Sequence, residues 1–461
     1  MAPKFGTSGL RGLVSELTGD LCSAYTRAFL QVTPHGGQLF IGRDLRPSSP
    51  LITRSVAMAA SAMGLRVVDC GALPTPALAL AAMKAGAPAI MVTGSHIPAD
   101  RNGLKFYTGT GEITKHDEAA ITAALTALPD MPRKMGPAPT ESGATDDYLD
   151  RYRTYFPRAA LQGLRIGNYQ HSSVARDLTS QILSDLGAAV VDLARSDRFI
   201  PVDTEAVAPE TRADLTRWSR DHRLDAVVST DGDGDRPLLT DETGTVIPGD
   251  ILGVLTARWV GADTVVTPVS SNSMVERIGL FATHRTRIGS PYVIAGMDEA
   301  GAKRVVGFEA NGGFLLGFRA EDEGRAIAPL LTRDSFLPIL APLAAAAKAG
   351  MPLSALVADL PQRRTASDRL EGVQTDWSLG FVAGLAAAPD RRAEFFVAQG
   401  SETAIDLTDG LRVTFASGDI IHLRPSGNAP EFRCYAECDT AEAAERLVKE
   451  TLERVQRIRN G

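Results

Sequence analysis

Three aspartates alternate with two glycines at residues 231–236, where the sequence reads DGDGDR. An apolar run comes immediately before this segment, which predicts a strand with the aspartates at its carboxyl end. The glycines allow the backbone to curl, so that the side chains of Asp231, Asp233 and Asp235 converge on one point. Three anionic oxygens repel one another unless a cation neutralises them, and an all-oxygen ligand set suits Mg²⁺. The pattern predicts a magnesium site with room for a phosphate ligand.

Two other interpretations of this acidic segment stay open at this point. The first is a solvated acidic turn, since glycine and aspartate are common turn residues. The second is an EF-hand loop, because Asp231, Asp233, Asp235 and Glu242 match its positions 1, 3, 5 and 12. The sixth position of that loop requires glycine and is Arg236 here, and the flanking segment is typical of a strand. These departures disfavour a calcium loop.

A second group follows another apolar run, at residues 93–98, which read TGSHIP. It places Ser95 at the carboxyl end of a predicted strand, next to His96 and ten residues before Lys105. A serine in this position can carry a transferable group when a base or a metal assists it. Thr-Gly-Ser is also common in turns and helix caps, and taken alone the segment fits that interpretation as well.

Two further loops carry groups that bind anions and hydroxyls. Residues 424–428 read RPSGN and are followed by Arg433. Guanidinium groups, a hydroxyl, an amide and glycine-permitted backbone N–H groups predict a phosphate cradle. Residues 307–313 read GFEANGG, with Glu309 and Asn311 placed to hydrogen-bond vicinal hydroxyls of a sugar. In isolation either segment would be interpreted as a simple turn or connection.

Strands alternating with helices must position the first three of these loops. The predicted strands cover 38–41, 65–68, 89–92, 164–166, 188–193, 224–229, 264–269 and 304–308, and the predicted helices cover 52–63, 251–259 and 340–349. Strand, helix and strand at this spacing indicate parallel β-α-β units. A polar stretch with several prolines between residues 129 and 143 indicates a linker or a domain edge.

The C-terminal part of the chain has a different pattern. Extended runs at 411–415, 420–424 and 432–437 follow one another without an intervening helix, and residues 441–458 then predict one amphipathic helix. Antiparallel strands followed by a helix indicate an α+β domain of another type.

Composition restricts the class of protein. The 461 residues include 48 basic and 55 acidic side chains, and the net charge of −7 argues against a broad nucleic-acid or anionic-membrane surface. The most apolar stretch, 77–92, is interrupted by Lys84 and Pro88, so no membrane span is expected. Neither a secretory signal nor a disulfide framework is expected, and Cys434 and Cys438 are predicted to be reduced thiols. We expect a cytoplasmic protein.

The loops, in this order, resemble those of the α-D-phosphohexomutase superfamily, whose members interconvert sugar 1-phosphates and 6-phosphates. The resemblance covers nearly the whole chain. It implies an α/β fold of four domains around a central cleft, with three similar mixed α/β/α domains and a C-terminal α+β domain. The implied domains are 1–140 with the phosphoserine loop, 141–248 with the metal loop, 249–365 with the sugar-binding loop and 366–461 with the phosphate-binding loop.

The resemblance also implies a role for each site residue. Ser95 is the phosphoserine of the active enzyme, and it meets the three aspartates around one Mg²⁺ per active site, so that the metal set is Ser95, Asp231, Asp233 and Asp235. The implied catalytic set is Ser95, with His96 or Lys105 as general acid and base and Arg11 and Arg236 as electrostatic helpers. The implied sugar-binding residues are Gly307, Glu309 and Asn311, and the phosphate-binding residues are Arg424, Ser426, Gly427, Asn428 and Arg433.

The implied substrate is a small sugar phosphate, with a hexose 1,6-bisphosphate as intermediate and activator. The sugar loop matches neither the glucosamine branch, Glu-Gln-Ser-Gly-His, nor the glucose branch, Glu-Glu-Ser-Phe, so we expect mannose phosphates by elimination. Phosphoglucomutase and phosphoglucosamine mutase activities are the alternatives, and a non-catalytic sugar-phosphate or metal-binding protein is the alternative of a different class. We expect a monomer or small homo-oligomer with no nucleic-acid or membrane partner.

Overall fold

The computed structural model describes residues 3–6, 9–128, 140–141, 143–426 and 430–460. Its first sheet has the strand order β1-β2-β6-β5-β3-β4-β8, with β7 added beside β6. The neighbours of β3 run parallel to it, whereas β6 is antiparallel to β5. The elements are β1 (Lys4–Phe5), β2 (Leu10–Leu13), α1 (Gly19–Val32), β3 (Gln38–Arg43), α2 (Ser49–Ala62), β4 (Arg66–Ala72), α3 (Thr75–Lys84), β5 (Ala89–Val92), β6 (Arg101–Thr108), β7 (Gly111–Glu112), α4 (Lys115–Ala124) and β8 (Thr140–Glu141).

The second sheet has the order β10-β9-β11-β12, with β9, β10 and β11 parallel and β12 antiparallel to β11. The acidic segment at 231–236 is the connection between β11 and β12. The elements are α5 (Ala144–Tyr155), β9 (Arg165–His171), α6 (Arg176–Asp185), β10 (Ala189–Arg195), α7 (Pro209–His222), β11 (Ala226–Thr230) and β12 (Pro237–Leu239).

The third sheet repeats this plan in the order β14-β13-β15-β16-β19, again with an antiparallel strand, β16, after the parallel ones. A separate hairpin pairs β17 with β18. The elements are α8 (Gly249–Val260), β13 (Thr264–Pro268), α9 (Met274–Arg277), β14 (Ala282–Thr286), α10 (Ser290–Ala300), β15 (Val305–Phe308), β16 (Phe314–Leu316), β17 (Ala320–Asp322), β18 (Arg325–Ile327), β19 (Leu330–Asp334), α11 (Phe336–Ala349) and α12 (Leu353–Ala358).

The fourth sheet is antiparallel throughout, in the order β20-β24-β23-β22-β21. The elements are β20 (Arg364–Glu371), α13 (Thr375–Ala387), α14 (Pro389–Phe395), β21 (Glu402–Asp406), β22 (Leu411–Phe415), β23 (Ile420–Pro425), β24 (Glu431–Cys438) and α15 (Ala441–Asn460). None of the helices in the described residues is both long and apolar enough to cross a membrane. The expected fold class, three mixed α/β domains followed by an α+β domain, is confirmed.

Apolar packing unites the first three sheets and separates the fourth. One core cluster contains Leu78, Tyr148 and Ile251, which come from three different sheet units. The C-terminal unit has its own core, centred on Phe381 and Phe432. A domain with an independent core can change its orientation relative to its neighbours, so this fold allows the C-terminal unit to move as a body.

The three α/β sheets position their connecting loops in equivalent places. In each sheet a parallel strand ends and the chain returns as an antiparallel strand: β5 to β6, β11 to β12 and β15 to β16. The turns between them contain Ser95, the three aspartates and Glu309 respectively. The chain therefore repeats one structural plan three times, although no internal sequence repeat was evident.

Several predicted elements need correction. The strands at 89–92 and 411–415 are confirmed residue for residue. The strand predicted at 164–166 spans Arg165–His171, because its backbone pairs with β10 as far as His171, and the polar side chains of Asn168 and Gln170 are buried within it. The predicted linker lies mostly outside the described residues, but within it Thr140–Glu141 forms a strand that pairs with β4. Backbone hydrogen bonds thus form strands in two segments that the side-chain pattern did not assign to strands, residues 167–171 and 140–141.

Candidate active site

The Ser95 hydroxyl meets the acidic segment, as the sequence analysis expected. Ser95 follows β5 with φ of 53°, in the left-handed region, and its backbone N–H donates to Thr93 Oγ1 at 2.8 Å. Its Oγ donates to Asp231 Oδ2 at 2.5 Å, although the two residues are 136 positions apart. Ser95 and Asp231 are both fully buried. The fold therefore joins the loop of the first sheet to the loop of the second.

The three aspartates form one buried carboxylate cluster. Each offers an oxygen, and these oxygens all lie within 4.8 Å of one another. Asp231 Oδ1 accepts the backbone N–H groups of Asp235 and Arg236, each at 3.2 Å, which fixes the turn. Asp233 Oδ1 and Asp235 Oδ1 are buried and accept no hydrogen bond from any described residue. Two buried carboxylate oxygens without a hydrogen bond, within a cluster of three carboxylates, suit a hard divalent cation such as Mg²⁺.

The pKa shifts of the cluster also reflect its crowding. Burial, together with the charges of Asp233 and Asp235, holds the pKa of Asp231 well above its usual value. Burial would raise the pKa of Asp233 too, but the Lys105 ammonium group and hydrogen bonds bring it below its usual value. Asp231 therefore retains a proton more readily than Asp233, because like charges crowd Asp231 whereas the Lys105 ammonium group stabilises the charge on Asp233.

Two cations contact the aspartates directly. Lys105 Nζ lies 2.6 Å from Asp233 Oδ2 and 2.5 Å from Asp235 Oδ2. Arg333, which the sequence analysis missed, lies on β19 with Nη2 3.0 Å from Asp235 Oδ2. Both side chains are nearly inaccessible to solvent. Lys105 lies in the middle of β6, and that strand directs its ammonium group into the cluster.

Two more arginines extend the positive charge around Ser95. Arg236 Nε lies 3.9 Å from Asp235 Oδ1. Arg11 is on β2, and burial together with the charges of Arg236 and Arg333 lowers its pKa to about 10. Arg11 therefore remains charged at neutral pH. A cluster of guanidinium and ammonium groups beside a buried hydroxyl is suited to hold a phosphoryl group.

His96 is the nearest imidazole to the Ser95 hydroxyl. Its Nδ1 lies 3.2 Å from Ser95 Oγ, and its Nε2 lies 3.9 Å from Asp203 Oδ2. Burial, and then the charges of Arg236 and Arg11, lower its pKa far below the usual value. The imidazole is therefore neutral at pH 7, and the same shift makes it a weak base.

The sugar-binding loop is preorganised by its own side chains. Asn311 Nδ2 donates to Glu309 Oε2 at 2.7 Å, and Asn311 Oδ1 accepts the backbone N–H of Gly313 at 3.0 Å. Glu309 Oε1 is buried and has no hydrogen-bond partner among the described residues, so it is available to a ligand hydroxyl. Gly307 lies inside β15, where a Cβ would meet Met297 within 2.7 Å, so packing against α10 accounts for this glycine.

Two arginines face each other on the fourth sheet. Arg424 and Arg433 are direct cross-strand partners on β23 and β24. Like charges in this relation are destabilising unless counter-ions lie nearby. Asp409 lies 3.5 Å from Arg424, and Glu431 lies 2.9 Å from Arg433. Arg424 Nε is buried without a hydrogen-bond partner in the described part of the chain, which suits an incoming phosphate.

The remaining residues of the predicted phosphate cradle are placed only in part. Ser426 is buried at the end of β23, and its backbone N–H donates to the Glu431 carbonyl at 2.9 Å. Gly427 and Asn428 lie outside the described residues.

Glu205 is another cleft residue that sequence reasoning missed. It follows Thr204, whose hydroxyl donates to the Asn311 carbonyl at 3.0 Å. Its side chain is exposed to solvent, yet the surrounding protein and then the charge of Asp203 raise its pKa to about 7; Arg236 and Arg433 oppose this rise and Glu309 adds to it. Glu205 therefore lies near charged residues of the second, third and fourth domains.

Family models for four successive domains match the chain. They describe phosphoglucomutase/phosphomannomutase α/β/α domain I at residues 2–130, domain II at 146–244, domain III at 248–364 and the C-terminal domain at 371–454. The chain belongs to this family. The expected superfamily is therefore confirmed, and the protein is an enzyme of the phosphohexomutase type.

Relatives cover the whole length of the chain. A phosphomannomutase from Sinorhizobium fredii is 49% identical over 98% of this chain and 98% of its own length. A phosphomannomutase from Salmonella muenchen is 44% identical, covering 98% of this chain and 95% of its own length. A phosphoglucosamine mutase from Rhodococcus erythropolis is 29% identical, covering 98% and 99%.

Solved structures share the fold. A phosphoglucomutase/phosphomannomutase family protein from Burkholderia thailandensis superposes with a TM-score of 0.78 at 22% identity, covering 97% of this chain and 96% of its own. The open form of a Paramecium phosphoglucomutase gives 0.71 at 17% identity, covering 98% and 95%.

Proposed function

We propose that this chain interconverts hexose 1-phosphates and hexose 6-phosphates through a phosphoserine, with mannose phosphates as its preferred substrates. The observation that carries the proposal is the contact between Ser95 Oγ and Asp231 Oδ2. It brings a hydroxyl that can carry a phosphoryl group to a carboxylate cluster suited to a divalent cation. Phosphoryl transfer depends on this combination of positioning and charge neutralisation.

The phosphorylated enzyme begins each cycle. Ser95 gives its phosphoryl group to the free hydroxyl of a hexose phosphate: the bond from phosphorus to Ser95 Oγ breaks, a bond from phosphorus to the sugar oxygen forms, the hydroxyl proton passes to a base, and Ser95 Oγ takes up a proton as it leaves. The hexose 1,6-bisphosphate turns around in the cleft and returns its other phosphoryl group to Ser95. The free bisphosphate also activates the enzyme, because it phosphorylates Ser95 when that residue carries a free hydroxyl.

Asp231, Asp233 and Asp235 would hold one Mg²⁺ per site, together with an oxygen on Ser95. When bound, the ion neutralises charge on the transferring phosphoryl group. Arg11 and Arg236 contribute fixed positive charge beside the same group.

Two side chains are placed to move protons. His96 lies with its imidazole Nδ1 3.2 Å from Ser95 Oγ, within reach to exchange a proton with that hydroxyl. Lys105, whose ammonium group lies against Asp233 and Asp235, is the other candidate for proton transfer.

The remaining loops hold the substrate in both of its orientations. Glu309 and Asn311 bind sugar hydroxyls, whereas Gly307 lies inside β15 and lets the strand that leads to them pack against α10. The non-reacting phosphate is bound by Arg424, Ser426, Gly427, Asn428 and Arg433. A fixed cradle for this phosphate allows either end of the sugar to face Ser95.

The preference for mannose is supported by two relatives. The phosphomannomutases are 49% and 44% identical to this chain, whereas the phosphoglucosamine mutase from Rhodococcus erythropolis is 29% identical. Phosphoglucomutase and phosphoglucosamine mutase activities are the alternatives. The domain boundaries given in the sequence analysis, the cytoplasmic location and the oligomeric state stay predictions.

A coupled assay tests the proposal. Mannose, glucose and glucosamine 1-phosphates are supplied separately with Mg²⁺ and glucose 1,6-bisphosphate, and formation of each 6-phosphate is followed. We expect the highest kcat/KM with mannose 1-phosphate. A higher kcat/KM with another sugar would overturn the preference, and no turnover with any of them would favour a non-catalytic sugar-phosphate-binding protein.

A further inference from the structure

One guanidinium group lies beneath the loop that carries Ser95. The side chain of Arg46 is fully buried, although it begins on a different segment of the first domain. Its Nη1 donates to the carbonyls of Pro98 at 2.7 Å and Arg101 at 3.0 Å. Its Nη2 donates to the carbonyls of Ser95 at 2.8 Å and Ile97 at 2.5 Å. One side chain therefore binds four carbonyls of the phosphoserine loop.

Asp44 orients this guanidinium and the start of the same loop. Arg46 Nε donates to Asp44 Oδ2 at 3.1 Å, so all five N–H groups of the guanidinium have an acceptor. The same carboxylate oxygen accepts the Thr93 hydroxyl at 2.8 Å. Thr93 Oγ1 in turn accepts the Ser95 backbone N–H. The network thus fixes the backbone on both sides of the phosphoryl-carrying hydroxyl.

The loop conformation needs such a support. A non-glycine residue at positive φ costs roughly 1–2 kcal/mol and persists only where the surroundings impose it. Ser95 has φ of 53°. A Cβ at Gly94 would lie 2.6 Å from the Arg46 guanidinium carbon, so the loop is closely fitted to this arginine. Neither a lysine, with one nitrogen, nor an apolar side chain could satisfy the same four carbonyls.

Phe199 extends the support to the second domain. The guanidinium carbon of Arg46 lies 3.9 Å from the centre of the Phe199 ring. A Cβ at Gly232, between the metal-binding aspartates, would lie 2.9 Å from the same ring and 2.8 Å from the Ser95 carbonyl. The ring therefore lies where the phosphoserine loop and the metal loop meet.

We propose that Arg46, covered by Phe199, is a positioning residue for phosphoryl transfer that holds Ser95 Oγ against the aspartate cluster. Its catalytic consequence rests on the proposed function, whereas its effect on the loop does not. A displacement of about 1 Å at a reacting atom can cost about a hundredfold in rate. No side-chain hydrogen bond of Arg46 ends on the Ser95 hydroxyl or on Asp231, Asp233 or Asp235, so Arg46 acts on the reaction by positioning the loop, with an added contribution from its charge near Asp233 and Asp231.

The test combines hydrogen exchange with kinetics. We compare the wild type with Arg46→Lys, Arg46→Ala and Phe199→Leu, with Arg54→Lys, an exposed arginine of α2, as the matched control. We expect faster amide exchange confined to residues 93–101 in the Arg46 variants and a smaller increase in Phe199→Leu. Phe199 is only half-buried, so we expect Phe199→Leu to fold, and it can test the proposal if the Arg46 variants fold poorly. Exchange as slow as in the wild type in all three variants would overturn the proposal.

The kinetic arm separates positioning from general destabilisation. We expect kcat to fall by about a hundredfold in Arg46→Lys, with KM for the sugar phosphate changed less than threefold, and methylguanidinium to restore part of the kcat of Arg46→Ala but none in Ser95→Ala. Equal kcat in Arg46→Lys and wild type would refute the catalytic part. Wild-type protein inactive on every hexose phosphate would instead refute the proposed function, and the exchange data would still decide whether Arg46 positions the loop.

Discussion

Replacing Lys105 with methionine should tighten Mg²⁺ binding and abolish turnover at the same time. The ammonium group contacts Asp233 and Asp235 at 2.6 and 2.5 Å, so it neutralises oxygens that a metal ion must share. Methionine keeps a similar length and apolar stem but removes the charge. If Lys105 only stabilised the fold, its replacement would not tighten Mg²⁺ binding while abolishing turnover.

The size of the effect follows from the cluster geometry. Lys105 Nζ lies 2.6 and 2.5 Å from oxygens of Asp233 and Asp235, and a Mg–O bond is about 2.1 Å long, so an ion bound by the same oxygens lies at most about 5 Å from that nitrogen. With an effective dielectric constant of about 20, each unit charge on the ion is repelled by about 3 kcal/mol at that separation. Structural relaxation reduces this value, and we expect Mg²⁺ to bind at least about a hundredfold more tightly in Lys105→Met, since about 1.4 kcal/mol is tenfold.

Titration calorimetry with Mg²⁺ on the dephosphorylated enzyme measures the affinity, and the coupled mutase assay measures turnover. Lys115→Met is the matched control, because Lys115 forms a half-exposed ion pair with Glu118 on α4. Unchanged or weaker Mg²⁺ binding in Lys105→Met would refute the charge argument. Retention of more than a tenth of wild-type kcat would remove Lys105 from the proposed proton transfer.

Three further outcomes are expected. Ser95→Ala should lose nearly all turnover while calorimetry still detects sugar-phosphate binding; near-normal activity would refute the phosphoserine. EDTA should abolish activity and excess Mg²⁺ should restore it, and full activity in the chelator would remove the metal. Burial lowers the pKa of His171 to about 4 from 6.5. The unfolded chain thus binds the proton first, and this contribution to stability is complete above about pH 6.5 and declines as pH falls toward 4. The loss between pH 7 and 5 should be about 2 kcal/mol in urea denaturation, and an equally steep decline in His171→Gln would contradict this assignment.

The catalytic loops were predictable because the types of their residues indicate what each loop can bind or carry. Three aspartates separated by glycines have few other uses, and an apolar run before them indicates where the strand ends. The same logic located Ser95 and Glu309. Their convergence could not be derived from local pattern alone, since 136 residues separate Ser95 from Asp231. The resemblance of the four loops to one superfamily carried that expectation, and the contact of the two side chains agrees with it.

Arg333 and Glu205 were missed for a different reason. Each follows an ordinary segment, and neither forms part of a short motif. Arg333 becomes a site residue only because β19 joins the third sheet beside β16, on the side facing Asp235. Glu205 becomes one because the segment after β10 reaches the Asn311 carbonyl through Thr204. Such residues acquire their roles from domain docking, which local periodicity does not describe.

Arg46 could not have been identified as a positioning residue by a closer comparison of sequence motifs. Four of its five hydrogen bonds end on backbone carbonyls, and every residue type supplies the same carbonyl. The residue types of the loop therefore do not reveal that its carbonyls bind an arginine. The one exception is Gly94, which lacks a Cβ and so leaves space for the guanidinium. Because side chains that bind backbone are invisible to residue-type patterns, the aspartates were found and the arginine that holds their partner serine in place was not.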